Sequence, residues 1–86
     1  MTITTTDGQE ISVHRGEWVF WAPDGTVDGC MYADAWVGSS TDRAAVRFYG
    51  KSDGPKKLAA GFRAELMTRD RWAAEVMPLM LRRTGA

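Results

Sequence analysis

Cysteine is almost missing from these 86 residues. Cys30 stands alone, so no internal disulfide can close, and a reducing compartment, the cytoplasm, is the expected setting. Histidine is equally scarce. His14 is the only one, no ligand-like spacing links it to Cys30, and neither metal nor cofactor is expected. There is no excess of charge: eleven basic residues cancel eleven acidic ones, which removes the electrostatic footprint of a protein that lives on phosphate backbones. Strongly acidic or basic partners are disfavoured on the same ground. No apolar run approaches the roughly 20 residues of a membrane helix, and the Thr-rich start lacks the charged and hydrophobic regions of a signal peptide. A Gly-rich phosphate loop, a nucleophile elbow and a calcium-loop array of carboxylates are missing too. These absences leave no reaction to assign, and the chain reads as non-catalytic.

What is present is enough apolar matter for one core. Hydrophobic residues make up 44% of the chain, with four Trp, three Phe and two Tyr, which argues against wholesale disorder. A domain this small buries roughly 60–65% of the surface its unfolded chain exposes, and residues 1–86 read as a single domain. Eight Arg against three Lys, with plentiful Ala, fits a GC-rich bacterial or phage genome.

The stretch Glu17-Trp18-Val19-Phe20-Trp21-Ala22 organises the rest. Successive side chains of a strand point to opposite faces, so Trp18 and Phe20 look one way, Val19 and Trp21 the other. Both faces are apolar. Such a strand lies in the middle of a sheet covered on both sides, or keeps one face for a partner.

Glycine-closed turns then set the registers. Thr6-Asp7-Gly8 predicts a three-residue hairpin loop that pairs Thr5 with Gln9 and Ile3 with Ile11. His14-Arg15-Gly16, read likewise, pairs Val13 with Glu17. Pro23-Asp24-Gly25 pairs Trp21 with Val27, Phe20 with Asp28 and Trp18 with Cys30, unless a bulge at Asp28-Gly29 flips the parity. Alternation predicts a strand over 27–37 and another over 44–49, and Ser52-Asp53-Gly54 repeats the turn signature. Residues 58–67 fit both a strand and a helix stripe, with strand favoured by Gly61 and by large residues facing small ones across the hairpin. Thr68 caps a C-terminal helix that carries Asp70 in its first turn, Trp72, Val76, Leu79 and Met80 at helical spacing, a break near Met77 caused by Pro78, and Arg82 and Arg83 at its end with Gly85 following.

Joined, these registers predict an α+β fold: an antiparallel, curled meander of five to six strands with one C-terminal α-helix packed on one face. Aliphatic side chains collect beneath the sheet. Five aromatics, Trp18, Phe20, Tyr32, Trp36 and Tyr49, are left on the opposite face beside Arg47 and Arg63. That patch exceeds what a monomer usually exposes, and its residue types are those of interface hot spots. Closure into a barrel or a parity slip would turn some of these rings into core. The expected function is a small protein-interaction module binding a protein partner or a second copy of itself, a homo-oligomer being the commonest case. The alternative is a single-stranded nucleic-acid binder that stacks bases on Trp18, Phe20, Tyr32 and Trp36, with Arg47 and Arg63 on phosphates. Asp34 and Glu65 near those arginines read as solvated ion pairs rather than acid–base groups.

Overall fold

A computed structural model of the chain describes the backbone of residues 1–85 and the side chains of residues 1–81. The expected side chains of Arg82 and Arg83 lie outside the described residues. The order of elements is β1 (Thr2–Thr4), β2 (Glu10–Ser12), a 3-10 turn (Val13–Arg15), β3 (Gly16–Trp21), β4 (Val27–Tyr32), α1 (Thr41–Tyr49), α2 (Asp53–Ala59), β5 (Arg63–Thr68), α3 (Arg69–Glu75) and α4 (Met77–Gly85). β1 and β2 form a two-stranded sheet, and β4, β3 and β5 a three-stranded one with β3 in the centre. The fold is therefore α+β, but four helices and two small sheets among the described residues replace the expected meander with one helix.

The early turns form as their sequence requires. Ile3 pairs with Ile11, and Thr5 N–H donates to the Gln9 carbonyl at 2.8 Å. Gly25 closes the second hairpin at φ +87°, in the left-handed region that favours glycine, and Trp21 pairs with Val27. The bulge lies where Asp28-Gly29 suggested it: the register shifts between Phe20 and Trp21, so Phe20 faces Gly29 and Trp18 faces Met31. His14-Arg15-Gly16 is not a hairpin loop. The Ser12 hydroxyl caps the 3-10 turn by accepting from His14 N–H at 3.4 Å, and the chain swings into a different sheet, where Gly16 pairs with Thr68 instead of Glu17 with Val13.

The larger corrections fall on 33–62. The strand over 27–37 stops at Tyr32, because the Asp34 carboxylate accepts from Val37 N–H at 2.8 Å and folds 34–38 into a turn. Residues 44–49 are helical rather than extended. Ser40 caps α1 through Arg43 N–H at 3.1 Å, Asp42 sits in the first turn, and alanine is a strong helix former and a poor strand former. Ser52-Asp53-Gly54 opens α2 instead of turning a hairpin, since Pro55 suits a helix's first turn and Gly54 lets α2 approach the α1 backbone. The 58–67 segment is divided: α2 runs to Ala59 and β5 begins at Arg63. At the C-terminus Thr68 does cap a helix, accepting from Arg71 N–H at 3.1 Å, and the helix breaks at Val76 next to Met77.

β3 is covered on both sides. On one face Trp18 and Phe20 pack with Ile3, Ile11, Val37, Ala44 and Leu66, under α1 and the first hairpin. On the other, Val19 packs with Val27, Met67 and Val76, with Trp72 and Met80 from α3 and α4 closing the layer. No described helix is long and apolar enough to cross a membrane.

Candidate interaction surface

The turn that ends β4 puts Trp36 outside the core with 48% of its surface exposed. Asp34 holds the turn with one carboxylate oxygen and Arg47 with the other, at 2.8 Å from Arg47 Nη1. Arg43 and Arg47 are four residues apart on α1, hence on one helix face, and that face looks back at Trp36. The Arg43 and Arg47 guanidinium carbons lie 5.5 and 4.9 Å from the indole centroid, and Arg43 Nη1 donates to the Trp36 carbonyl at 3.0 Å. Exposed cation–π contacts are worth about 0.5–1 kcal/mol each. Two of them, with the Asp34 bridge, hold a large exposed ring in one orientation.

This cluster continues along α1. Phe48, about a third exposed, stacks on Phe20 with ring centroids 4.3 Å apart and planes at 9°. Tyr49 O–H donates to Asp28 at 2.7 Å; burial, then the Asp28 carboxylate, pushes its phenol well above the ordinary range, so it stays a neutral donor. Lys57 of α2 rests over Phe62 at 4.4 Å and over Tyr49 at 5.5 Å.

Of the residues singled out from sequence, Trp36 and Arg47 meet. Tyr49, on the same helix as Arg47, is half-buried. Trp18 and Phe20 are core, 0% and 1% exposed, because β3 has no free face. Tyr32, 71% exposed, belongs to a separate cluster: Arg69 lies 4.7 Å over its ring, and Arg69 Nε is 3.5 Å from the Glu17 carboxylate. Arg63 covers Trp21 at 5.2 Å and bridges to Glu65 at 3.6 Å. Among the described residues no three of His, Cys, Asp and Glu gather as a metal site. Cys30 packs against Trp72 Nε1 and Met80 Sδ, each at 3.3 Å, and burial pushes its thiol up, away from reactivity.

Sequence reasoning missed Arg43, whose signal was the Ser40 cap placing it four residues before Arg47. It also missed a charge partition that the zero total conceals. Residues 1–40 hold one basic residue and six acidic ones, whereas residues 41–63 hold six basic and two acidic, a net of +4. α1, α2 and the start of β5 thus form a cationic segment in a neutral chain. Protein-family models, curated proteins and solved structures, compared with this chain, contain no match to it.

Proposed function

We propose that this chain is a non-catalytic protein-binding module that docks an acidic partner through Trp36, Arg43 and Arg47. The observation that carries the reading is an exposed indole held by two guanidinium groups that belong to residues 41–63, a segment with a net charge of +4. Trp and Arg are the residues most enriched in hot spots, and a ring already fixed in place loses little entropy when a partner covers it. Asp34 offsets Arg47 in this face, but two copies meeting through it would still oppose the Arg43 guanidinium of each and the net positive charge of residues 41–63, so the reading favours a different, acidic partner over an isologous dimer.

The test is selection of a random displayed peptide library on the protein. Enriched peptides should be rich in Asp and Glu and should lose at least tenfold in affinity against Trp36→Ser. Peptides without acidic residues, or equal binding to the variant, would refute the reading. The cationic segment also supports the second reading, single-stranded nucleic acid. Trp36 already carries two guanidinium groups and Phe62 carries Lys57, which compete for the ring faces a base would need. Quenching of Trp fluorescence by an oligo-dT strand, lost steeply with salt, would favour that reading instead.

A further inference from the structure

A groove of about 620 Å³ lies between the first hairpin and the start of α3, lined by residues 9–12, His14, Arg15 and residues 68–70. Its floor is the outer edge of β2. In an antiparallel pair, alternate residues direct their backbone groups toward the partner strand. The Ile3–Ile11 pair is bracketed by Thr5 N–H to Gln9 C=O at 2.8 Å and Val13 N–H to Met1 C=O at 3.1 Å. Gln9, Ile11 and Val13 therefore face β1, and Glu10 and Ser12 direct their backbone groups outward. Among the described residues no strand pairs with β2 on that side. Ser12 C=O sits at the start of the 3-10 turn, which leaves Glu10 N–H, Glu10 C=O and Ser12 N–H aimed at the groove. An unpaired edge of this kind is a template for an extended chain.

The groove also has a charge pattern. Arg15 meets Asp70 at 3.5 Å, with both side chains largely exposed, a contact that water screens. Arg69 is committed elsewhere: its buried Nε faces the Glu17 carboxylate at 3.5 Å, Nη2 donates to the Gly16 carbonyl at 3.4 Å, and the guanidinium lies over Tyr32 at 4.7 Å. Arg15 is thus the weakly engaged cation at the end of the groove near α3. Glu10 on the strand and Asp70 beside Arg15 supply the opposite charge, and Asp70 is the carboxylate a peptide would have to displace.

We propose that this groove binds an extended peptide segment by strand addition to β2, with an acidic side chain of the peptide taking the place of Asp70 against Arg15. The site is separate from the Trp36 surface and does not depend on it. The test is titration of the full 15N-labelled chain with the peptide Ac-Lys-Val-Thr-Val-Glu-Thr-NH2, followed by amide chemical shifts. Glu10 and Ser12 amides should shift and saturate, the same peptide N-methylated at alternate residues should not bind, and Arg15→Gln should weaken binding about fivefold, the worth of one exposed ion pair. The proposal fails if the Glu10 and Ser12 amides do not move at millimolar peptide, if the N-methylated peptide binds equally, or if Arg15→Gln binds as the wild type does. Shifts confined to Trp36 and α1 would also overturn it, since the peptide would then occupy the other surface.

Discussion

Two tryptophans of the same composition have opposite consequences. Trp18 is wholly buried between α1 and the first hairpin, and Trp18→Ser removes a ring whose loss costs about 3–5 kcal/mol, a large part of the margin of a domain this size. Trp36→Ser breaks only exposed contacts, two cation–π pairs, and should move the urea midpoint by the equivalent of about 1–2 kcal/mol at most, while removing the ring on which the proposed docking rests. A Trp18→Ser protein as stable as the wild type would contradict the core assignment. Gly29 is a second sensitive position: a Cβ there would stand 2.2 Å from the Phe48 ring that stacks on Phe20. Gly29→Ala should cost about 1–3 kcal/mol as overpacking, measured by chemical denaturation. Glu17 supplies a pH dependence. Burial raises its carboxyl above the ordinary 4.5, partly offset by Arg69, so the folded chain holds the proton more tightly than the unfolded one. Its contribution is most favourable below that ordinary value and is lost as pH rises through the raised one. Glu17→Gln should therefore gain on the wild type as pH rises through that window; thermal melts that stay parallel across it would show that Glu17 is solvated.

At the scale of elements, the contrast between β4 and α1 shows how much was legible. The hairpins could be read because Gly8 and Gly25 close loops whose geometry is local, and the pairings Ile3 with Ile11 and Trp21 with Val27 follow from loop length alone. The break at Pro78 and the Thr68 cap are equally local. Residues 44–49 were not legible by alternation. Ala44, Val46 and Phe48 satisfy a two-residue period, yet Ala44 and Phe48 also satisfy the helical one, and only the Ser40 cap and the alanines break the tie. α3 and α4 cover the Val19 face, so a chain ending at Met67 leaves Val19, Val27 and Met67 open to water. That fragment should aggregate; a monodisperse, cooperatively melting fragment would show that the C-terminal helices are dispensable.

For the whole molecule, net charge is a poor guide because charge is partitioned. Residues 1–40 carry a net charge of −5, residues 41–63 +4 and residues 64–86 +1, so the zero sum hides an acidic and a cationic segment. The proposed association with an acidic partner through Trp36, Arg43 and Arg47 should be fast at low ionic strength and slow as salt shortens the Debye length below about 10 Å. Stopped-flow rates independent of salt would place the binding energy in apolar contact alone.

Composition, turn chemistry and the two-sided apolar character of residues 17–22 determined an α+β chain with a strand over 17–22 that is apolar on both faces and a capped C-terminal helical stretch broken near Met77. These features depend on neighbours a few residues away. Only the tertiary structure decided what covers each face of that strand. The parity of a strand says which side chains travel together, but not which layer meets them, and that depends on 41–59 becoming helix and on the 3-10 turn sending the first hairpin to the Trp18 side. Trp18 and Phe20 became core through those two events, while the Asp34 turn left Trp36 in solvent beside the cationic helix.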